Sequence, residues 1–220
     1  GEPIGFEVYC KSEDAIYFWN RLIELGAKPV ALGARDTLRM ETALPLYGHE
    51  MGECQLGGEI PIFSVAQARF VVSFAEEKGD FVGKQALLRQ SEAAAKIKQG
   101  DFSAVEDLPY RTRPICLVGR GVLRAHCEVF DHETGEKLGY VTSGTMIPYY
   151  ECEERDGVVT QSEKTGKRSI GLAYLKSNVA SGQKVDVDIR GKRVAAAVVV
   201  RHMKSNTTPY AFPVLYQEGK

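Results

Sequence analysis

The chain has 220 residues, 44% hydrophobic and 26% charged, enough to bury a substantial core as one large domain or two small ones. Its 28 Lys and Arg against 29 Asp and Glu leave a net charge of -1, which argues against a whole-chain nucleic-acid binder. No apolar run reaches the roughly 18 residues of a membrane-spanning helix, and 22 Gly with 9 Pro are too few for a disordered or collagen-like chain.

The first segment, residues 4–9, alternates Ile4, Phe6 and Val8 with Gly5, Glu7 and Tyr9, the period of a strand. Ser12 then offers an N-cap, with Glu13 and Asp14 in the first turn of a helix. Ala15, Ile16, Trp19, Leu22 and Ile23 recur at helical spacing, and Gly26 suits the position just past the helix end. A second helix is expected over residues 34–43, stopped by Pro45. A third is expected from Asp80, as its cap, to about Ile97. The acidic stretch 100–109 reads as a linker. Beyond it the pattern turns to short strands. Residues 115–118 and 127–130 are apolar runs, Glu133-Thr134-Gly135-Glu136 makes a turn, and residues 139–142 resume a strand. Val185, Val187 and Ile189 alternate with Asp186, Asp188 and Arg190, Gly191-Lys192 turns the chain, and residues 194–200 return. The polar segment 151–168 reads as an exposed excursion, a hairpin among its forms.

Charge divides at the same place as pattern. Residues 1–110 hold 11 basic and 17 acidic residues, a balance of -6, and residues 111–220 hold 17 and 12, a balance of +5. The reading is an α+β chain: a mixed α/β region over 1–110 followed by a small antiparallel β-barrel domain over 111–220. The basic half either steers an acidic partner or is a solvated barrel surface. The five cysteines, Cys10, Cys54, Cys116, Cys127 and Cys152, form no CxxC pair, and the opening residues carry no signal-peptide pattern. Together these give an expectation of reduced thiols in a cytoplasmic protein with no metal site.

Few side chains point to chemistry on their own. Glu7 lies opposite Phe6 on its expected strand, either on a solvated face or facing a ligand. Arg35 and Arg39, four apart, share a helix face, where like charges repel unless an acid or an anion sits between them. Asp36 and Glu41 are candidate acids. His49-Glu50, with Cys54 following, suggests acid–base or Cys–His chemistry only weakly, because catalytic partners converge in space rather than in sequence. The apolar C-terminal stretch with Tyr210, Phe212 and Tyr216 needs something to dock on, its own core or a ligand.

Taken in order, several segments resemble the glycine-cleavage T-protein, the aminomethyltransferase family. They are Gly1-Glu2-Pro3-Ile4-Gly5-Phe6-Glu7-Val8-Tyr9, the Arg35-Asp36-Thr37-Leu38-Arg39 helix with Leu44-Pro45-Leu46-Tyr47-Gly48-His49-Glu50, and Gly79-Asp80-Phe81-Val82-Gly83-Lys84-Gln85-Ala86-Leu87-Leu88. Glu128-Val129-Phe130-Asp131, Gly139-Tyr140-Val141-Thr142-Ser143-Gly144-Thr145 and Val187-Asp188-Ile189-Arg190-Gly191-Lys192-Arg193-Val194 continue the likeness. The resemblance implies transfer of a one-carbon unit from the lipoyl arm of H-protein to tetrahydrofolate with release of ammonia, as part of glycine catabolism. It implies that Glu7 holds the pterin ring, that Arg35 faces the substrate site, and that Tyr216 lies near the folate. Phe70 stands in Gln67-Ala68-Arg69-Phe70, where the family usually has Gly-Leu-Gly-Trp, and keeps an aromatic ring without the indole N–H. His126-Cys127 replaces the family's Gly-Tyr, and the segment 151–168 has no counterpart in the usual pattern. The family's catalytic aspartate precedes the segment matching Gly1. The resemblance therefore implies a C-terminal portion with no catalytic residue in this chain, inactive by itself, whose opening strand and folate-facing residues border an open cleft. A folate-binding regulatory module, or the folate domain of a related demethylase or dimethylglycine/sarcosine dehydrogenase, are the alternatives.

Overall fold

The computed structural model describes residues 6–155 and 158–202. Tyr210, Phe212 and Tyr216, and the start of the expected opening strand, lie outside the described residues. Three helices, α1 (Ala15–Glu24), α2 (Leu32–Glu41) and α3 (Lys84–Lys98), and a short hairpin of β1 (Gly52–Glu53) and β2 (Glu59–Ile60), precede six strands. These are β3 (Tyr110–Leu117), β4 (Glu128–Asp131), β5 (Lys137–Arg155), β6 (Val158–Lys176), β7 (Lys184–Ile189) and β8 (Lys192–Val198). They close into an antiparallel barrel in the order β3-β6-β5-β4-β7-β8, with Cys116 of β3 against Ala197 of β8 at the closing seam. The α+β reading with a small antiparallel barrel is the observed architecture.

Strand alternation builds two apolar layers from the barrel. Ile115, Val129, Val141, Ala173, Leu175, Val185, Val187, Ala196 and Val198 fill its interior with Leu123. The opposite faces of the same strands offer Cys116, Ile170 and Ala197, and Met40 of α2 is completely buried against them. α3 packs separately: Ala93 and Ile97 meet Phe63 and Leu108. Of the polar segment 151–168, residues 151–155 and 158–168 continue the barrel strands β5 and β6.

Four expectations need correction. Residues 6–10 are exposed and form no strand, because no described strand lies beside them to complete a ladder. α1 begins after a 3-10 turn, Ser12–Asp14, and Ser12 makes no capping bond. α3 starts at Lys84 rather than Asp80, since Gly83 takes a left-handed φ of 87° immediately before it. The stretch 100–109 is no free linker: its one large aliphatic anchor, Leu108, is fully buried against α3. The end of α1 follows the sequence closely. Gly26 (φ 95°) donates to Ile23 O and Ala27 N to Leu22 O, the paired bonds of a Schellman stop. α2 runs Leu32–Glu41 and ends by the same device two residues before Pro45. Ala43 there takes φ 56°, and Leu44 N bonds Arg39 O at 2.8 Å.

Where β5 and β6 cross under Leu123, Gly144 faces Gly171. A Cβ on Gly144 would lie 2.6 Å from Leu123, which has no exposed surface. Gly144→Ala is expected to cost about 2 kcal/mol through overpacking, measured by urea unfolding. Gly33→Ala, in α2 with nothing near its Cβ, is expected to stabilise by roughly 0.5 kcal/mol.

His202 follows the last strand and is buried, with Nε2 donating to Gly171 O at 3.0 Å while Nδ1 has no partner. Burial, which disfavours the imidazolium, pushes its pKa down to about 4. The unfolded chain binds the extra proton first, near pH 6.5. The neutral, buried His202 therefore contributes fully above that pH, and its contribution falls as pH drops from about 6.5 to about 4, by roughly 3 kcal/mol in all. Urea titrations of the wild type and His202→Gln between pH 7 and pH 4 are expected to show this slope in the wild type alone, after subtraction of the background common to both.

Candidate functional site

Three of the segments that carry the resemblance, residues 35–39, 44–50 and 139–145, converge on one carboxylate. Glu50 has no exposed surface. Its Oε2 accepts from Arg39 Nη1 and from Leu46 N, both at 2.9 Å. Its Oε1 accepts from Ser143 Oγ at 2.6 Å and from Thr142 Oγ1 at 2.5 Å. Successive residues of a regular strand point to opposite faces. Thr142 and Ser143 both reach Glu50 because β5 carries a bulge between Val141 and Ser143. Arg39 spends its remaining donors on Asp36 Oδ1 at 2.6 Å, Ser143 Oγ at 2.9 Å and Leu44 O at 3.2 Å. His49 Nδ1 donates to Thr142 O at 3.1 Å. Glu50 is thus a buried anchor for α2, the 44–50 loop and the barrel, rather than a general acid beside His49. Cys54 lies by Tyr140 Oη at 3.6 Å, and burial pushes that phenol up to about 12. No described contact joins Cys54 to His49.

The two arginines of α2 have separate fates. Arg39 is locked against Glu50, with 11% of its side chain exposed. The side chain of Arg35, one turn earlier, makes no hydrogen bond or ion pair among the described residues. It lines an open cavity of about 800 Å³ with Val30, Ala31, Leu32, Leu38 and Leu44. An unpaired guanidinium on an apolar wall can orient a carboxylate or other anion through its planar donor fork. Glu7 is exposed and accepts from Tyr9 Oη at 3.0 Å. Phe70 ends a 3-10 turn, Ala66–Phe70, and is 75% exposed. Neither lines the cavity beside Arg35. Tyr216 lies outside the described residues. No group of His, Cys, Asp and Glu among the described residues is arranged to hold a metal ion.

Sequence reasoning passed over Thr142 and Ser143. The available signal was two adjacent hydroxyls within an apolar strand. A strand period can bury at most one of two neighbours on a given face, so burying both requires a bulge and a shared partner.

Known proteins match this arrangement at both ends. Residues 1–57 match the GCVT N-terminal domain, and residues 148–203 match the glycine cleavage T-protein C-terminal barrel domain, which takes in β6, β7 and β8. An aminomethyltransferase from Bacillus mycoides is 38% identical over 203 residues, 89% of this chain and 44% of that protein. The chain belongs to the glycine-cleavage T-protein family. An aminomethyltransferase from Geobacillus kaustophilus is 37% identical over the same span, again 44% of its length. The chain therefore spans a little under half the length of these curated relatives. The crystal structure of glycine cleavage system aminomethyltransferase T from Bartonella henselae shares the fold. Its TM-score is 0.55 at 20% identity, over 92% of this chain and 46% of that one.

The anchor predicts a stability change. Glu50→Ala strands Arg39 and two hydroxyls and is expected to cost about 3–5 kcal/mol in urea unfolding. The Arg39→Met/Glu50→Leu double variant is expected to lose less than the sum of its single variants, because each single change leaves a buried charge uncompensated.

Proposed function

We propose that this T-protein-family chain takes part in tetrahydrofolate-dependent aminomethyl transfer. The one-carbon unit carried on the lipoyl arm of H-protein passes to tetrahydrofolate, giving methylene-tetrahydrofolate and releasing ammonia. The observation that carries the reading is Arg35, a cation without a described partner, held on a helix whose neighbouring arginine is fixed by a buried anchor. In this reading Arg35 orients an anionic group of the substrate. Glu7 offers two carboxylate oxygens to the paired N–H donors of a pterin edge. Phe70 supplies a ring against the folate, and Tyr216 completes the site. The chain is organised as a folate-binding part over residues 1–110 and a barrel domain over residues 111–220. The reaction belongs in the cytoplasm, consistent with the free thiols of Cys10, Cys54, Cys116 and Cys127.

No residue of the chain is assigned the role of catalytic acid, so the 220 residues by themselves are proposed to bind but not turn over. The surface supports this. α1 has no buried residue, and Ile16, Trp19, Leu22 and Ile23 stand exposed along it, as do Phe6, Val8 and Leu32 nearby. Groups of this size are normally covered in a working protein.

Calorimetric titration of tetrahydrofolate into the chain tests the reading. Glu7→Ala and Arg35→Ala are each expected to weaken binding about tenfold, the loss of one charged hydrogen-bonding group. Equal binding by all three forms removes the assigned roles. Turnover by the isolated chain with aminomethyl-loaded H-protein and tetrahydrofolate would refute the proposed division of labour.

A further inference from the structure

A second cavity, of about 720 Å³, lies between the barrel, α3 and the turn around Ser64, and among the described residues shares only Thr42 with the cavity beside Arg35. Its volume is in the usual range for small-molecule sites. Much of its wall is apolar, with Phe63, Val65, Ala94, Pro114 and Leu172 contributing. Three residues of the same lining carry buried polar atoms that have no hydrogen-bond partner: Ser64 Oγ, Thr112 Oγ1 and Arg111 Nε. Ser64 is only 2% exposed. A folded protein rarely leaves such atoms unpaired, and three around one cavity mark where an absent partner belongs.

The charge of the lining says what kind of partner. Lys98, Arg111, Arg113 and Arg201 all border the cavity, and no Asp or Glu is among the described lining residues. Arg111 Nη2 donates to Ser177 O, and Arg113 donates to Val179 O and Ser181 Oγ. These are neutral acceptors, so neither the Arg111 nor the Arg113 guanidinium is paired with an acid among the described residues. Burial chiefly, and the neighbouring Arg113, hold the Arg111 pKa down at about 10, the direction expected for a cation taken out of water beside a like charge. Hydroxyl, guanidinium and ammonium groups all donate hydrogen bonds, so an acceptor-rich anion fits them. A bare inorganic anion would leave the apolar wall uncovered.

We propose that this cavity binds an organic acid, its carboxylate held by the Ser64, Thr112 and Arg111 side and its apolar body against Phe63 and Leu172. Binding is read by calorimetry and thermal shift on the full chain at constant ionic strength. The probes are benzoate, neutral benzamide and inorganic phosphate. Benzoate is expected to bind saturably, with benzamide at least tenfold weaker and phosphate weaker than benzoate. Thr112→Val removes one unpaired hydroxyl at nearly constant shape. It is expected to weaken benzoate about fivefold while leaving the unliganded melting midpoint unchanged or higher. Lys98→Gln, on the exposed end of α3, is expected to fold normally and weaken benzoate as well. Absence of saturable benzoate binding, benzamide binding as well as benzoate, or full benzoate affinity in both variants would overturn the assignment. Phosphate binding as tightly as benzoate would overturn the apolar part of it.

Discussion

The structure turns on one buried carboxylate. Glu50 accepts four hydrogen bonds from three segments: the last turn of α2, the loop after it, and, some ninety residues on, the bulge of β5. An ionised group taken out of water is tolerated only when such bonds replace its hydration. Each donor is therefore constrained. Arg39 must project from α2 toward the barrel, and the 44–50 loop must turn to aim Leu46 N inward. β5 must carry an extra residue so that Thr142 and Ser143 face the same way. These requirements explain why Arg-Asp-Thr-Leu-Arg, Leu-Pro-Leu-Tyr-Gly-His-Glu and Tyr-Val-Thr-Ser-Gly-Thr occur together in one chain. They are three sides of one joint.

The joint has a consequence for the residue beside it. Met40, next to Arg39, is driven into the outer layer of the barrel against Cys116 and Ile170, so α2 cannot roll about its axis. With the helix fixed in rotation, Arg35 borders the same cavity as Arg39, one turn away, yet stays outside the ion-pair network. Two like charges at helical spacing tolerate one another here because Arg39 is neutralised by Glu50 and Asp36. A free guanidinium is thus presented on a rigid support, the condition under which a positioned charge can orient a substrate.

Local physics was legible in the sequence. The Schellman stop at Gly26, the turns at Gly135 and Gly191, and the alternation of Val185, Val187 and Ile189 each follow from a handful of neighbouring residues, and the structure shows them all. Long-range outcomes were harder to read. Leu108 looked like linker because the few apolar residues of an acidic stretch show no period, yet it is fully buried against α3. Glu50 looked like half of a weak dyad because its side-chain partners lie 11, 92 and 93 residues away. Neither the β5 bulge nor the unpaired Ser64 and Thr112 leaves a mark in composition, since both are properties of register and packing. Arg35 was singled out as a candidate by its motif, while its place outside the Arg39 ion-pair network required the tertiary fold.

The same distinction accounts for α1. Its stripe of Ile16, Trp19, Leu22 and Ile23 has the helical period, and the helix forms and stops where the sequence directs, yet none of its residues is buried. Amphipathic spacing specifies which face a helix offers, and the cover for that face must come from elsewhere. α2 shows what such cover requires. It buries only Met40 among its own residues and is nevertheless held firmly, because Arg39 adds a directional bond network to a single apolar contact. α1 has the larger apolar surface and no equivalent of Glu50 among the described residues. The hydrophobic effect is roughly proportional to area and carries no direction. A helix with a wide stripe and no polar anchor accordingly takes its orientation from the shape of whatever packs on it, whereas α2 brings its own.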